Sequence, residues 1–393
     1  MDFRLINKQS LDQVKSLWDY CFEKADTSFF QWYFQEYALK QNKIVGGFED
    51  NKLQTMVHLN PYTINLKGKE ERMPYLVGVA TAPEARGRHV ISGLLKTSFT
   101  LAKAMLGSKA VLLQPIYAGI YQPYGFAYTH LRTSYKMPLQ ELNLPHIDDG
   151  LQIARIPTET AENILSPIYS DVMRNYNGFV VRDSRVWHNF LKVAAAEKKE
   201  TAIVLEDNNP VGYVLYEHCD NIVNVLELMA TNGRIRNRIL AYLRVFAGDF
   251  KNIEWLGAID DTAYLNFKNQ QYAPQIAPFM MGRVIDLPGI LQSVAVPATE
   301  SESSIVLFVQ DEFIKSNNLL LQLNISAKGI ELRDTIKVPE ITMDITTFTQ
   351  LYFGTYSVEQ LWANDKIMAD DQTKLQILSR LFPAQKNYIN EYF

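Results

Sequence analysis

Cysteine is scarce in this chain of 393 residues, and its two cysteines, Cys21 and Cys219, lie far apart in the sequence. They supply neither a disulfide framework nor a zinc ligand set, so we expect no metal. No apolar run approaches the roughly 20 residues that a membrane-spanning helix needs, and the N-terminus lacks the apolar core of a signal peptide. We therefore expect a cytoplasmic protein that has no membrane partner.

An excess of positive charge is also missing, because 39 Lys and Arg face 43 Asp and Glu, for a net charge of −4. This balance gives no indication of a nucleic-acid partner. The chain lacks a Walker-type GKS/T motif and a G-x-G-x-x-G motif, which argues against a nucleoside triphosphate site and against a dinucleotide fold. A chain of this length exceeds a single hydrophobic core, so two or three domains are expected.

The first block of the chain mixes helices and strands. "SLDQVKSLWDYCFE" has apolar residues at helical spacing, with Ser10 as its predicted N-cap, and "SFFQWYFQEYALK" predicts a second helix. Residues 43–82 predict three strands joined by turns at "EDNK" and "KGKEE". "HVISGLLKTSFTLAKAMLG" predicts a long helix that ends at Gly107, and "AVLLQP" and "AYTHLRTSYKM" predict strands on either side of a loop.

The second block repeats this theme in a degenerate form. A hairpin turning at "EDNNP", a strand "IVNVLELMA" and a following helix correspond to elements of the first block. The last block begins near "VIDLPGILQ" and predicts strands, then two helices and a short tail. We predict three domains, at residues 1–145, 146–285 and 286–393.

One turn between a strand and a helix carries two arginines around a glycine, in "PEARGRHV" at residues 83–90. A turn of this kind leaves backbone N–H groups unpaired at the start of a helix, where cations are otherwise disfavoured. An anion at the turn would explain the arginines, because N–H groups and guanidinium groups together bind a diphosphate. A solvated basic turn without a ligand is the alternative interpretation.

The loop "YQPYGF" at residues 121–126 follows the next strand and brings tyrosines toward the same edge of the sheet. The strand–P-E-x-R-G-R–helix segment followed by Y-x-x-x-G-F resembles the acetyl-CoA site of GNAT-superfamily N-acetyltransferases. The whole layout, which ends in an aromatic residue, is similar to the enhanced-intracellular-survival (Eis) family. This resemblance implies an α/β (α+β) chain of tandem GNAT-like domains with mixed central sheets, the second degenerate, and a sterol-carrier-protein-like α+β C-terminal domain.

The resemblance also assigns residues to acetyl-CoA. Main-chain groups of Val77 and Val79 would hold the pantetheine, and the Val79 N–H would face the developing oxyanion. The diphosphate would be surrounded by Arg86, Gly87, Arg88, His89 and Val90. The family has Gly or Ala where this chain has His89, and a side chain is tolerated there if the backbone has helical φ.

For proton transfer, the resemblance implies Tyr121 as the general acid, with Tyr124 as a rival in the same loop. A phenol with a pKa near 10 protonates a thiolate whose pKa is near 8.5 at a cost of about 2 kcal/mol. The general base would be the C-terminal carboxylate of Phe393. His58, His130 and Glu391 are alternatives.

The acceptor pocket should be lined by Asp26, Phe29 and Trp32, with Glu391 nearby, because carboxylates and aromatic rings attract a cationic amine. The predicted function is acetyl-CoA-dependent N-acetylation of a primary amine of a small cationic or amine-bearing acceptor by direct attack. The resemblance further implies a homo-oligomer, a hexamer or a trimer. The alternative is a non-catalytic binding protein that has a vestigial GNAT domain and an apolar-ligand site in its C-terminal domain.

Overall fold

The structure, a computed structural model, describes residues 1–142, 144, 150–298 and 302–391. The chain divides into two compact units. The first comprises Met1–His130 and Phe279–Gln385, and the second comprises Leu131–Pro278 together with residues 386–391. In the part of the chain that is described, no helix is long and apolar enough to cross a bilayer. The expected α/β class with mixed sheets is confirmed.

The N-terminal part of the first unit packs helices against a mixed sheet. Its order runs β1-β2-β3-β4-β5-β13, with β4 parallel to β5 and β13 antiparallel to β5. The turns after β2 and β3 each place two residues at positive φ, as two-residue hairpins require. The elements up to residue 130 are β1 (Asp2–Leu5), α1 (Leu11–Cys21), α2 (Ser28–Trp32), β2 (Lys43–Glu49), β3 (Lys52–Leu66), β4 (Lys69–Thr81), α3 (Val90–Leu106) and β5 (Ala110–Leu113).

The two N-terminal helices differ in detail from the sequence prediction. Ser10 ends a short 3₁₀ turn that Asn7 caps, and its own side chain makes no capping bond within the described structure. The second helix is α-helical only over Ser28–Trp32, capped by Thr27, and continues as a π-helical turn over Tyr33–Tyr37. Three aromatic side chains of that turn are buried, so tertiary packing has overridden the regular helical period.

The second unit repeats the arrangement of helices on a sheet. Its strands run in the order β6-β12-β11-β10-β9-β7, with β11 and β12 parallel and the other neighbours antiparallel. Its elements are β6 (Ala127–Pro138), β7 (Gln152–Ile156), α4 (Glu162–Met173), β8 (Phe179–Val180), α5 (Ser184–Ala196), β9 (Glu200–Glu206), β10 (Asn209–Cys219), β11 (Ile222–Ala230), α6 (Gly233–Leu243) and β12 (Asn252–Gly257).

The C-terminal part of the first unit adds a separate five-stranded sheet, in the order β16-β15-β14-β17-β18. The predicted short tail contains an additional helix, which Asp371 caps. The elements are β13 (Gln275–Val284), α7 (Leu287–Ser293), β14 (Ser303–Gln310), β15 (Leu319–Ser326), β16 (Gly329–Asp334), β17 (Ile341–Asp344), α8 (Ile345–Phe353), α9 (Val358–Ala363), β18 (Ile367–Ala369) and α10 (Gln372–Leu381). The bounds of the three predicted domains remain predictions.

Candidate active site

Strands β4 and β5 part after a single paired position. They are in register at Tyr75 and Leu112, after which β5 ends at Leu113 and β4 continues to Thr81. Within the described chain, the last residues of β4 therefore have a neighbouring strand only on the β3 side. Their free main-chain groups form an edge that an extended ligand can pair with, as an added strand does.

A β-bulge lies in the middle of this edge. His58 of β3 is opposite Val77, whereas Met56 is opposite Ala80, so two steps on β3 span three steps on β4. The extra residue redirects the main chain at Gly78 and Val79, which is how bulges re-aim groups beside functional sites. The ring of Trp18 from α1 packs directly against Gly78, so a side chain at this position would collide with it. The helices and the bulge thus fit each other closely.

The turn from β4 to α3 has an unusual backbone. Gly87 has φ 74° and open space around the position of a Cβ, so its conformation rather than crowding favours glycine. His89 also has positive φ, at 56°, and is the N-cap of α3. His89 therefore does not have the helical φ at which the sequence analysis expects a side chain to be tolerated. Its side chain is exposed and makes no capping bond to the described residues, which leaves N–H groups of the first turn available for an anion.

The two arginines of the turn have different surroundings. Arg86 is exposed, and its Nε donates to the Thr81 carbonyl at 3.2 Å. Arg88 forms two hydrogen bonds to the Glu49 carboxylate, at 2.7 and 2.9 Å. Hydrogen bonding to the guanidinium lowers the pKa of Glu49, and the same contact raises the pKa of Arg88. A diphosphate at the turn would compete with Glu49 for the Arg88 guanidinium.

Tyr121 lies in the main core cluster of the first unit, which also includes Leu76, Leu94 and Phe126, and Val79 packs against the same cluster. The structure therefore brings the tyrosine and the bulged strand together. The Tyr121 ring meets Phe126 edge to face at 5.8 Å. Burial raises the pKa of Tyr121 to about 12. The phenol thus keeps its proton throughout the physiological pH range, as a general acid must.

Tyr124, the rival acid, is half-buried in the same loop. Its ring packs edge to face on Phe313 at 5.0 Å, and its carbonyl accepts a hydrogen bond from the Arg283 Nε at 2.7 Å. The ring and the carbonyl of Tyr124 therefore both contact residues in the C-terminal part of the first unit. This arrangement favours a packing role for Tyr124.

The predicted acceptor residues lie around α2. Asp26 is exposed in the turn before the helix, while Phe29 stacks on Tyr33 with ring centroids 5.5 Å apart. Trp32 is buried, and among the described residues its indole N–H has no hydrogen-bond partner. Aromatic rings with a carboxylate at their rim provide the chemistry that binds an organic cation.

His58 is fully buried between these aromatic side chains. Its Nδ1 is hydrogen-bonded to the Tyr33 hydroxyl at 2.8 Å, and its ring is 5.0 Å from that of Trp18. Burial lowers the pKa of His58 to about 3, so it is a weak base at neutral pH. The Tyr33 hydroxyl also accepts a hydrogen bond from Asn42, which in turn donates to Asn60. His130 is buried as well, with its Nδ1 3.0 Å from the Thr129 hydroxyl.

Glu391 belongs to the second unit. Its carboxylate accepts a hydrogen bond from the Nε of Arg182 at 2.7 Å, and Arg182 also forms a bidentate pair with Glu227. Both glutamates and the arginine are buried, and burial raises the pKa of Glu391. A cationic acceptor would have to displace a guanidinium to reach Glu391. Phe393, the predicted general base, lies outside the described residues.

Sequence reasoning missed several residues that support these groups. Glu49 ends β2, 39 residues before Arg88 in the turn after β4, and Arg283 is 159 residues from the carbonyl that it binds. The buried amides Asn42 and Asn60 resemble ordinary surface residues in the sequence. No local pattern could reveal these contacts, because each joins segments that only the fold brings together.

Residues 2–129 match an acetyltransferase (GNAT) domain family, residues 178–284 match a second acetyltransferase (GNAT) domain family, and residues 287–390 match the sterol carrier protein domain family. No curated protein sequence matches the chain.

Three solved structures share the whole fold. A probable N-acyltransferase from Enterococcus faecalis is 20% identical, with a TM-score of 0.88 over 100% of this chain and 99% of that chain. A GCN5-related N-acetyltransferase from Anabaena variabilis is 16% identical, with a TM-score of 0.83 over 100% of both chains. Eis1 from Mycobacterium abscessus is also 16% identical, with a TM-score of 0.76 over 100% of both chains. At such identities the likeness is one of fold.

The matches to two GNAT domain families support an acyl-CoA-dependent N-acetyltransferase. The chain carries matches to two GNAT domain families followed by a match to a sterol carrier protein domain family, an arrangement that resembles the Eis family. The GNAT matches favour the enzyme over the non-catalytic binding protein considered above.

Proposed function

We propose that the protein transfers an acetyl group from acetyl-CoA to the primary amine of a small cationic or amine-bearing acceptor by direct attack. The observation that carries this proposal is the unpaired, bulged edge of β4 beside the buried Tyr121. It supports the proposal because a main-chain edge for the cosubstrate and a tyrosine for proton transfer would then lie in one part of the first unit. The tandem GNAT matches support the same reaction class.

The residues of the first unit suit acetyl-CoA. Main-chain groups at Val77 and Val79 would hold the extended pantetheine, and the turn from Arg86 to Val90 would receive the diphosphate. The exposed Arg86 and the N–H groups at the start of α3 offer charge and hydrogen bonds. Acetyl-CoA itself supplies the activated acetyl group and the thiolate leaving group.

Two groups of the chain would act on the developing charges. The Val79 N–H would donate to the thioester carbonyl oxygen as it becomes negative, and fixed donors of this kind make large contributions to catalysis. Tyr121 would protonate the leaving thiolate. With a Tyr121 pKa of about 12, transfer to a thiolate of ordinary pKa is uphill by about 5 kcal/mol. Burial of the thiolate beside Tyr121 raises its pKa too, which narrows this gap.

For the base, we retain the terminal carboxylate of Phe393, on the resemblance to the Eis family. A carboxylate with a pKa near 3.5 must act through an ordered water or have its pKa raised by burial. His58 suits this role poorly, because its pKa is lowered to about 3 and its side chain is fully enclosed.

For the acceptor, we retain Asp26, Phe29 and Trp32. The exposed carboxylate of Asp26 and the neighbouring rings of Phe29 and Trp32 would favour an amine that carries a positive charge elsewhere in the molecule. Glu391 is less suited, because Arg182 already neutralises it. Asp26→Asn should therefore raise the KM of cationic acceptors more than that of neutral ones.

The test of the function is CoA release with a panel of amines. In Tyr121→Phe, kcat should fall far more than the affinity for acetyl-CoA changes, because a general acid acts in the transition state. Tyr124→Phe, the matched control in the same loop, should have the milder effect. A larger effect of Tyr124→Phe, or no CoA release with any amine, would refute these assignments.

A further inference from the structure

Arg283, near the end of β13, is fully buried and directs its donors to three places. Its Nε donates to the Tyr124 carbonyl at 2.7 Å, and one terminal nitrogen donates to the Val284 carbonyl at 2.8 Å. The other terminal nitrogen lies 2.8 Å from both oxygens of Asp311. One guanidinium thus joins the Tyr121–Gly125 loop of the GNAT domain to the C-terminal part of the unit.

Asp311 is itself held rigidly. One of its oxygens accepts from the main-chain N–H groups of Phe313 and Ile314, and the other accepts from the Asn317 amide at 3.2 Å. Phe313 then reaches the loop, since its ring packs on that of Tyr124. The carboxylate that fixes Arg283 and the ring that supports Tyr124 therefore come from the same turn after β14.

The loop links Tyr124, which Arg283 contacts, to Tyr121 through one short turn. The Tyr124 N–H donates to the Tyr121 carbonyl at 2.9 Å, and the Gly125 N–H donates to the Gln122 carbonyl at 2.9 Å. The two tyrosines are thus ends of one 3₁₀ turn. Gly125 has φ 83°, and a Cβ at this position would lie 2.7 Å from the Arg283 Nε and Cζ. The glycine therefore lets the guanidinium approach the main chain of the loop.

We propose that Arg283, fixed by Asp311, is a positioning residue that orients Tyr121 for proton transfer through the Tyr124 carbonyl. On this proposal Asp311, from the sterol carrier protein domain match, supports through Arg283 the loop of the N-terminal GNAT domain that carries Tyr121. The inference rests on the proposed role of Tyr121. The hydrogen bond to the Tyr124 carbonyl also satisfies a buried guanidinium N–H, as stability alone would require, so a positioning role is tested by kinetics and not by stability.

The primary variant is Arg283→Lys. Lysine keeps the positive charge beside Asp311 but lacks the planar fork that donates to Tyr124 and Asp311 together. A shift of about 1 Å in a catalytic group costs roughly 100-fold in rate. We expect kcat to fall about 100-fold, with the Kd for acetyl-CoA within about twofold of the native value.

Two further variants test whether a fall in kcat of Arg283→Lys could come from reduced stability alone. Leu323→Ala, in the middle of β15, removes a buried side chain from the same domain away from the loop. It should lower the midpoint of thermal unfolding while kcat stays within about twofold at a temperature where the variant is folded. Gly125→Ala keeps the ion pair but pushes the loop from Arg283, and it should reproduce the kcat loss of Arg283→Lys.

A double-mutant cycle that combines Arg283→Lys with Tyr121→Phe tests whether Arg283 acts through Tyr121. If Arg283 acts through Tyr121, Arg283→Lys should lower kcat by less than about threefold in the Tyr121→Phe background. The inference is overturned if Tyr121→Phe lowers kcat but a folded Arg283→Lys variant does not. It is also overturned if the fold-losses in kcat of the two single variants multiply in the double variant. In both cases the proposed function stands. If Tyr121→Phe leaves kcat unchanged, the general-acid assignment fails first, and the inference fails with it.

Discussion

At the scale of single residues, the turn before α3 is where we propose that the diphosphate of acetyl-CoA binds. Arg88 has the type and place expected of a diphosphate ligand, yet it is bound to Glu49. His89 has the left-handed φ that glycine adopts most easily. The predicted anion site stays a prediction: the N-cap of α3 has no side-chain capping bond within the described structure, while Arg88 is bound to Glu49.

The first prediction concerns exchange of Arg88 between Glu49 and the diphosphate. Arg86→Ala and Arg88→Ala should both weaken acetyl-CoA binding, and more so at low salt, because screening reduces the contribution of exposed charges. Glu49→Gln should strengthen binding several-fold by removing the competing carboxylate. Titration calorimetry at two salt concentrations measures all three variants.

The control is Glu49→Gln in the Arg88→Ala background, where the gain in affinity should disappear. A gain that persists without Arg88 would show that Glu49 repels the diphosphate directly and does not compete for the arginine. Unchanged affinity in both arginine variants would contradict the site assignment itself.

Among the elements, the π-helical turn after α2 and the centre of β3 form a buried polar layer beneath the acceptor residues. Tyr33 and His58 are hydrogen-bonded inside an aromatic cluster that includes Trp18. Burial keeps His58 neutral in the folded state. The unfolded chain binds a proton on this histidine near pH 6.5, so acid favours unfolding.

The second prediction follows from this linkage. The folded pKa of His58, about 3, is below its unfolded value of 6.5, so stability is lost as pH falls from about 6.5 toward 3. Between pH 6 and pH 4 the loss should amount to about 2–3 kcal/mol, since one pKa unit corresponds to about 1.4 kcal/mol. Urea unfolding of His58→Gln at several pH values should give a correspondingly shallower dependence.

The quantity to compare is the slope of the unfolding free energy against pH, because glutamine also changes the packing of the aromatic cluster and so shifts the stability at every pH. His89→Gln removes an exposed histidine and is the matched control. Equal slopes for His58→Gln and the native protein between pH 6 and pH 4 would contradict the prediction.

In the whole molecule, the last described residues belong to the second unit. The Asn177 N–H donates to the Lys386 carbonyl and the Asn177 carbonyl accepts from the Tyr388 N–H, both at 2.9 Å. Arg182 binds Glu391, two residues before Phe393 in the sequence. The chain is thus attached to the second unit as far as Glu391, two residues along the sequence from the residue whose carboxylate we propose as the base.

The third prediction tests that base. Adding a few residues after Phe393 moves the carboxylate without altering any native side chain, so it should abolish turnover and leave acetyl-CoA affinity nearly intact. Deleting Phe393 moves the carboxylate by up to about 3.5 Å, enough to break an attack geometry. Steady-state acetylation by both forms, with melting curves to confirm folding, provides the measurement. Full activity of a folded extended form would return His58, His130 and Glu391 to consideration.

The fourth prediction is a homo-oligomer, a hexamer or a trimer, on the resemblance to the Eis family. Light scattering at micromolar concentration should give a mass of three or six chains. A monomer under these conditions would refute it.

The sequence alone determined the class of this protein, because local patterns carry it. The alternation and helical spacing of apolar residues predicted the strands and helices of the first block, and Gly107 marked the end of α3. The turn at 83–90 and the loop at 121–126 predicted the acyl-CoA site. The helix of residues 372–381 and the π-helical turn were missed, since packing rather than local propensity decides them.

Only the tertiary structure decided which partners the site residues have. Glu49 binds Arg88, Tyr33 binds His58, and Arg283 holds the loop of Tyr121 from a strand far along the chain. Burial, and with it the raised pKa of Tyr121 and the lowered pKa of His58, is likewise a property of the fold. The physical reason is that hydrogen bonding and desolvation depend on distance in space, whereas a sequence records order along the chain.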